Sequence, residues 1–281
     1  MLNALTFDIE DYFQVSALAS AVDRSAWENM PRRVVRNTQL LMEMLAEHKT
    51  RSTFFFLGWV ADRHPELVRF AQEAGHEVAC HGYSHKLVYD QTPQEFREET
   101  LRAKAILEDV TQRPVAGYRA ASYSITRKSL WALDILAEAG FSYDSSIFPV
   151  RHDRYGIPDS PRWPHEIQLS GGHRIVEFPL STAQIAGFKL PVAGGGYFRI
   201  FPLWVTQWAI RRVNAENKPF IFYLHPWEVD PEQPRIKTSA LSTFRHYTNL
   251  GVCAQRLRTL ISQFRFGTVA EVLGESGLLK K

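Results

Sequence analysis

The amino-acid sequence predicts an α/β fold: a single distorted (β/α) barrel over residues 1–230, with a helical C-terminal extension over 231–281 packed on it. Apolar runs of strand length alternate with segments of helical periodicity, which is typical of parallel strands joined by crossover helices. Candidate site residues follow directly after several of these strands. The 281 residues, 45% of them hydrophobic, suffice for one large domain with a substantial core.

Composition excludes several classes of protein. The formal net charge is only +3, and no basic tract carries interleaved aromatic residues, so nucleic acid is not an expected partner. No apolar run approaches the roughly 20 residues of a membrane span, and no leader pattern opens the chain. The two cysteines, Cys80 and Cys253, do not form a disulfide framework. We therefore expect a cytoplasmic protein without a transmembrane segment, and its oligomeric state stays open.

The first elements are a strand, a helix and a second strand. Residues 2–9 are mostly apolar and predict a buried strand with acids at its carboxyl end. Residues 31–48 repeat apolar side chains at helical spacing behind Pro31, which suits the first turn of a helix. Residues 52–57 contain three consecutive phenylalanines, which predicts a strand buried on both faces.

The next units repeat this alternation. Residues 65–74 predict a short helix that Gly75 ends, and residues 76–80 predict a third strand. The sequence Thr-Pro-Gln-Glu at 92–95 is a capping box, and it opens a helix that extends to Val110. A fourth strand over 115–118, a helix over 127–139 and a fifth strand over 141–144 complete the regular part.

The second half is less regular. It predicts a long proline-rich loop over 148–164, a strand over 175–179, a flexible glycine loop over 193–196, a helix over 203–213, a last core strand over 220–224, an irregular tail over 226–247 and a helix over 253–264. The glycine loop lacks the Lys-Ser/Thr pair of a phosphate-binding loop, so a nucleotide site is not expected there.

These candidate site residues fall at the end of a predicted strand or just after it. In chain order they are Asp8, Glu10 and Asp11, then His81 and His85, then Arg119, then Asp144, then His225. In a barrel the carboxyl ends of all strands share one rim, so these side chains are expected to converge. The plainer interpretation makes Asp144 the cap of a turn, His225-Pro-Trp a packing corner and Arg119 a surface ion-pair residue.

The residue types at this rim are those of a hydrolytic metal site. Two histidines and one carboxylate leave a divalent cation open positions for water and substrate. A separate acid can take a proton from water, and a separate histidine can protonate a leaving amine. These ligand types suit Zn, Co, Mn or Ni, so the residues alone do not fix the metal. Whether Glu10 or Asp11 binds the metal is open: an extended strand places Glu10 beside Asp8, whereas an early turn brings in Asp11.

These motifs together resemble a known family. The segments Thr6-Phe7-Asp8, His81-x-x-x-His85, Arg119-Ala-Ala, Asp144 and Leu224-His225 resemble, in this order and spacing, the NodB-type polysaccharide deacetylases of carbohydrate esterase family four. The resemblance covers roughly residues 4–228. The variant strings at 7–13 and 225–228 are similar to the subgroup found with exopolysaccharide and exosortase gene clusters.

The resemblance implies a zinc-like divalent cation held by an acid together with His81 and His85, and it implies roles for other residues. Asp8 would be the general base, held in place by Arg119, and His225 would be the general acid, oriented by Asp144. A backbone N–H near Ser122 and Tyr123 would stabilise the oxyanion. Trp227, two residues beyond the acid, is expected beside the substrate.

Two departures from the family pattern affect these roles. The tandem Asp-Asp of the family is replaced by Asp8-Ile9-Glu10-Asp11. The proline of its Arg-x-Pro segment is Ala121, so the oxyanion loop is expected to be less rigid.

The expected activity is therefore metal-dependent removal of N-acetyl groups from an amino sugar of a polysaccharide or of its lipid-linked precursor. One alternative is a small amide or cyclic-imide hydrolase on the same fold, favoured if residues 148–164 and 197–208 close the rim into a pocket. Another is a non-catalytic glycan-binding protein with a degenerate site. The sugar and its linkage are not identified by these residues.

Overall fold

The computed structural model describes residues 1–152 and 154–279. Its strands are β1 (Asn3–Ile9), β2 (Thr53–Phe56), β3 (Glu77–Cys80), β4 (Gly117–Tyr118), β5 (Tyr143–Asp144), β6 (His165–Gln168), β7 (Arg174–Glu177), β8 (Thr182–Ile185), β9 (Phe188–Pro191), β10 (Ile221–Leu224) and β11 (Phe266–Gly267). Its α-helices are α1 (Val34–Glu47), α2 (Gly58–Arg63), α3 (Pro65–Glu73), α4 (Pro93–Thr111), α5 (Trp131–Glu138), α6 (Gly195–Ile200), α7 (Leu203–Ala215), α8 (Ala240–Tyr247), α9 (Leu250–Gln263) and α10 (Val269–Glu275).

The main sheet is a curled half-barrel, which confirms the predicted α/β fold with a distorted barrel. Its strand order is β10-β1-β2-β3-β4-β5-β7-β6, with β11 paired to β1. The pairings are parallel from β10 through β7, and β6 adds an antiparallel edge. β8 and β9 form a separate hairpin that the sequence analysis did not predict.

The strand register aligns the candidate residues at one end of the sheet. Ile9 pairs with Phe56, Phe56 with Cys80, Cys80 with Tyr118, and Tyr118 with Asp144. The residue that follows each member of this row therefore emerges at the same carboxyl rim. This register brings the acids after β1, the histidines after β3 and the arginine after β4 into one neighbourhood.

The triple phenylalanine of β2 is buried on both faces, as predicted. Phe54 and Phe56 pack on the helix side with Phe7, whereas Phe55 packs on the other face with Tyr143. All three phenylalanines of this strand are fully buried. Burial of each such ring from water contributes about 2–3 kcal/mol, which holds the centre of the sheet rigidly beneath the rim.

The glycine segment predicted as a flexible loop instead enters helix α6 and lies against β10. Gly194 forms a parallel bridge with Tyr223. Its φ is +135°, and a Cβ there would lie 1.9 Å from the Tyr223 carbonyl oxygen. Glycine is therefore required for close backbone approach rather than for flexibility.

The C-terminal part is more integrated and more helical than predicted. Helix α8 occupies part of the tail expected to be irregular, and α9 begins three residues earlier than the predicted helix. β11 joins the sheet directly through Asn3 and Ala4 of β1. The boundary at residue 230 stays a prediction. No helix in the described ranges is both long and apolar enough to span a bilayer.

Candidate active site

A cleft of about 310 Å³ opens at the carboxyl rim of the sheet. This volume lies at the small end of the range for ligand pockets. The walls include most of the predicted site residues together with an aromatic set: Tyr89, Tyr123, Tyr155, Tyr197, Tyr223 and Trp227. A larger cavity of about 1350 Å³ lies among the residues around the opposite ends of the strands, away from these groups.

Glu10, His81 and His85 converge on one point of the cleft. One ligand atom from each lies within 4.8 Å of the other two, and all three residues are buried. Both histidine rings follow β3, and Glu10 follows β1, so two strands on either side of β2 supply the group. Two imidazoles and one carboxylate form a donor set suited to zinc.

Hydrogen bonds orient the two histidines. His81 Nδ1 lies 2.8 Å from the carbonyl oxygen of Arg119, so Nδ1 carries the proton and Nε2 keeps its lone pair. His85 has a φ of +53°, in the left-handed region that non-glycine residues rarely adopt. Arg24 binds the carbonyl oxygens of Ser84 and His85, which stabilises this conformation.

Glu10 lies at the centre of the group. Its Oε2 lies 2.8 Å from His85 Nε2, yet this oxygen has no hydrogen-bond partner among the described residues. Burial opposes ionisation of Glu10, but His85, His225 and His81 outweigh it and lower its pKa to about 2. A buried, ionised carboxylate with an unpartnered oxygen fits a cation ligand.

Asp11, the alternative metal ligand, points elsewhere. Its Oδ2 accepts hydrogen bonds from the backbone N–H groups of Arg33 and Val34, at 2.7 and 3.0 Å. Its Oδ1 accepts from the N–H of Tyr12. The carboxylate therefore caps the start of α1, and of the two open alternatives the structure groups Glu10 with the histidines.

Asp8 and Arg119 form a buried ion pair beside the group. Arg119 Nη1 lies 2.7 Å from Asp8 Oδ1, and the guanidinium also donates to Thr6 and to both oxygens of Ser145. Arg119 is fully buried, so the surface ion-pair interpretation was wrong. The contact between Asp8 and Arg119 agrees with the predicted positioning, whereas the role of base stays a prediction.

His225 faces Asp8 across the cleft. His225 Nε2 lies 3.9 Å from Asp8 Oδ2 and 3.6 Å from Glu10 Oε1. Burial alone would lower the pKa of His225, but Glu228, Glu10 and Asp8 outweigh it and raise the pKa to about 9. A protonated imidazole at neutral pH suits a proton donor.

The predicted orientation of His225 by Asp144 was wrong. His225 Nδ1 lies 2.8 Å from Glu228 Oε2, and this carboxylate makes the orienting contact. Asp144 instead accepts hydrogen bonds from the hydroxyl and N–H of Ser146. Burial raises the pKa of Asp144 and, with the charge of Asp144, that of the neighbouring Glu177. Asp144 therefore belongs to a carboxyl pair on the neighbouring strands β5 and β7.

The turn after Arg119 is strained in a way that suits a binding loop. Ser122 and Tyr123 both have positive φ, at +50° and +56°. The N–H of Tyr123 donates to the carbonyl oxygen of Ala120, 3.1 Å away. The N–H of Ser122 makes none of the hydrogen bonds found among the described residues, so it is the better candidate oxyanion donor of the two.

Trp227 contacts Glu10 as well as lining the cleft. Its Nε1 lies 3.4 Å from Glu10 Oε1, and its ring stacks between His225 and His246. The side chain is 5% exposed. Its closest contacts are thus with Glu10 and the two histidines, and the expected substrate contact stays a prediction.

Sequence reasoning missed two charged residues of this site. Glu228 follows His225 by three residues, and this spacing closes a capping box that could have identified it. Arg199 comes from α6 and donates to Glu228 Oε1 at 2.7 Å. No local pattern marks Arg199, because its partner is 29 residues away in the chain.

The two halves of the chain match two different protein families. Residues 4–143 match the polysaccharide deacetylase family, and residues 145–274 match a domain of unknown function (DUF3473). A chitooligosaccharide deacetylase of Bradyrhizobium sp. (strain ANU 289) is 30% identical over 97 residues, which are 34% of this chain and 42% of that protein. The chain thus matches less than half the length of this relative.

Solved structures share the fold along nearly the whole chain. A candidate polysaccharide deacetylase from Mycobacterium smegmatis has a TM-score of 0.59 at 20% identity, covering 99% of this chain and 88% of that one. The allantoinase PuuE has a TM-score of 0.64 at 15% identity, covering 99% and 92%. At such identities the likeness shows the fold alone.

Proposed function

We propose that this chain, which carries a polysaccharide deacetylase family domain in residues 4–143, is a metal-dependent N-deacetylase. Its substrate would be an N-acetylated amino sugar in a polysaccharide or in the lipid-linked precursor of one. The observation that supports this most directly is the placement of Asp8 and His225 beside the Glu10 group, with His225 Nε2 3.9 Å from Asp8 Oδ2 and 3.6 Å from Glu10 Oε1. A base and an acid so placed can act in one hydrolytic reaction, the base by deprotonating water and the acid by protonating the leaving amine.

The residues present fit a divalent cation. Glu10, His81 and His85 would hold it, since they supply two imidazole nitrogens and a carboxylate oxygen that lacks a hydrogen-bond donor. The cation would supply Lewis acidity toward the acetamide carbonyl and the attacking water. Zinc fits this donor set best, and Co, Mn and Ni are the alternatives.

The chain's own residues would move the protons. Asp8, held by Arg119, would take a proton from the water as its oxygen bonds to the carbonyl carbon. The N–H of Ser122 would donate to the developing oxyanion. His225 would give its Nε2 proton to the amine nitrogen as the carbon–nitrogen bond breaks. Water is thereby consumed, and acetate and a free amino sugar are released.

A small-amide hydrolase is the second candidate function. The loop 148–164 contributes His152 and Tyr155 to the cleft, and the segment 197–208 contributes Tyr197 and Ile200. The hydroxyls of Tyr155 and Tyr197 lie 3.3 Å apart, so the two segments meet at the wall. Two loops that narrow a cleft of about 310 Å³ favour a short substrate segment over a long groove.

We also propose that the protein acts in exopolysaccharide biosynthesis in the cytoplasm. The strings at 7–13 and 225–228 support a role in exopolysaccharide biosynthesis. The free, buried thiols of Cys80 and Cys253 are compatible with the reduced cytoplasm, where a lipid-linked precursor would be the substrate.

A substrate panel tests the proposal. The zinc-loaded protein would be given chito-oligomers of increasing length and, separately, small cyclic amides. Acetate release from the oligomers supports the deacetylase. Ring opening of the cyclic amides without acetate release would replace it with the second candidate.

A further inference from the structure

We propose that Glu228 and Arg199 form a positioning pair that holds the proton-donating histidine, His225, in place of the carboxylate on β5. By this proposal residues 145–274, which match a domain of unknown function, supply the acid half of the active site. The inference rests on the proposed deacetylase function for its chemistry, but the contacts that carry it do not depend on that function.

The Glu228 carboxylate engages His225 twice. Its Oε2 accepts from the backbone N–H of His225 at 3.0 Å and contacts the ring Nδ1 at 2.8 Å. Since an ionised carboxylate only accepts, Nδ1 must carry the proton of this hydrogen bond. The other ring nitrogen, Nε2, is thereby directed toward Asp8 and Glu10. The ring orientation needed for proton donation in the cleft is thus set by one side chain.

Arg199 holds the other oxygen of the same carboxylate. Its Nε lies 2.7 Å from Glu228 Oε1, and neither residue is more than 1% exposed. The remaining guanidinium donors reach the carbonyl oxygens of Arg245, His246 and Thr248. A planar guanidinium that is held by four hydrogen bonds leaves Glu228 little freedom to rotate away from the ring.

A purely stabilising role does not explain this arrangement well. A buried ion pair contributes little net stability, because desolvation of both charges offsets their attraction. The two buried charges are more readily explained if the His225 ring needs a fixed carboxylate that accepts a hydrogen bond from Nδ1. The pair also parallels Arg119 and Asp8, since each proton-transfer side of the site has one buried arginine–carboxylate contact.

The two halves of the chain therefore divide the chemistry. The region up to residue 143 supplies Asp8, Arg119 and the metal group. The region after it supplies His225, Glu228 and Arg199, and it packs Trp227 against the metal ligand Glu10. Residues 145–274 are thus the second part of one catalytic rim.

Two substrates with different leaving groups distinguish a loss of His225 positioning from general damage to the active site. An amine must be protonated to leave, whereas the phenolate of 4-nitrophenyl acetate leaves without a proton. We would measure acetate release from a chito-oligomer and hydrolysis of 4-nitrophenyl acetate for Glu228→Gln and Glu228→Asp. Glu228→Asp keeps the charge beside Arg199 but shortens the reach to His225. Glu232→Gln is the matched control, because this nearby glutamate is exposed and pairs only loosely with Arg36.

The expected result is a selective loss. Both Glu228 variants should lose about 10²-fold or more of kcat on the oligomer, with KM and aryl-ester hydrolysis changed by less than about 5-fold. The control should match the wild type on both substrates. Equal losses on both substrates in the soundly folded Glu228→Asp variant, or no loss on either, would overturn the proposal.

A spectroscopic measurement tests the contact without any turnover. The Nδ1 proton of His225 should give a strongly deshielded NMR resonance that is present in the wild type and in Glu232→Gln but absent from Glu228→Gln. Persistence of that resonance in Glu228→Gln would overturn the proposal even if the chain proves inactive on every amide. Loss of the resonance in an inactive protein would uphold the positioning contact and refute only the proposed function.

Discussion

Arg119 Nη1 lies 2.7 Å from Asp8 Oδ1 in the interior of the protein, and this contact fixes the carboxylate against the rim of the sheet. The opposite oxygen, Oδ2, is the one that faces His225. Oδ1 of Asp8 is thus held by Arg119, whereas Oδ2 remains able to accept a proton.

Asp8→Asn should remove the base while preserving the fold. Asparagine keeps an oxygen that accepts from Arg119 but cannot take a proton from water. We expect acetate release to fall by about 10³-fold, within the range for loss of a general base, with bound zinc unchanged. Acetate release and metal content would be measured on the same preparation. Near-normal turnover in this variant would assign the base elsewhere.

Arg119→Met should lower the stability of the protein as well as its activity. It leaves Asp8 as a buried carboxylate without its cation, and breaking such a pair typically costs about 3–5 kcal/mol. We expect a lower free energy of unfolding in urea as well as lower activity. Arg97→Met is a suitable control, since Arg97 makes only a partly exposed ion pair with Glu138. A loss below about 1 kcal/mol for Arg119→Met would contradict the buried-pair description.

Glu10 and Asp11 are adjacent, and their variants should separate metal binding from helix capping. Glu10→Gln should weaken zinc binding by at least about 10-fold, because it removes an anionic ligand. Asp11→Asn should retain zinc but lose about 0.5–2 kcal/mol of stability at the start of α1. Zinc titration by calorimetry and urea unfolding would be compared for both. The reverse pattern would make Asp11 the ligand.

His76 should make stability fall in mild acid. Its Nδ1 accepts from the N–H of Ser52, its ring stacks on Phe54, and burial lowers its pKa from 6.5 to about 4. Because the folded-state pKa is the lower one, the contribution is complete above pH 6.5 and is lost as the pH falls toward 4.

The measurement is the difference in unfolding free energy between pH 7 and pH 4. In His76→Gln, which cannot titrate, this difference should be smaller by on the order of 1–3 kcal/mol than in the wild type. The exposed His173, changed to Gln, is the control and should leave the wild-type dependence intact. Identical pH dependence in all three proteins would show that His76 is not buried as a neutral ring.

The rim was predictable because parallel strands impose it. Each of Glu10, His81 and Arg119 follows a strand, and the register of a parallel sheet brings such positions together whatever the loop lengths. Burial of β2 on both faces was predictable for the same reason, from consecutive apolar residues alone.

The partner of His225 was not predicted correctly, because sequence order does not show which of several carboxylates reaches a ring. Asp144 ends strand β5 near the expected rim, but its carboxylate accepts a hydrogen bond from the hydroxyl of Ser146 instead. Glu228 is only three residues from His225 in the chain. Arg199 is distant in the chain, and it reaches Glu228 only because helix α6 packs beside it. The glycine segment was wrongly predicted as a flexible loop for a related reason. A glycine can be required for close contact between backbones, as between Gly194 and Tyr223, and sequence alone does not distinguish this from flexibility.

Metal-dependent deacetylation is tested by acetate release from chito-oligomers, measured with protein stripped of metal and then reloaded with zinc. We expect no release from the stripped protein, recovery on addition of about one equivalent of zinc, and release about 10³-fold lower in zinc-loaded Asp8→Asn. Release that is unaffected by stripping, or zinc binding with no release from any oligomer, would contradict metal-dependent deacetylation.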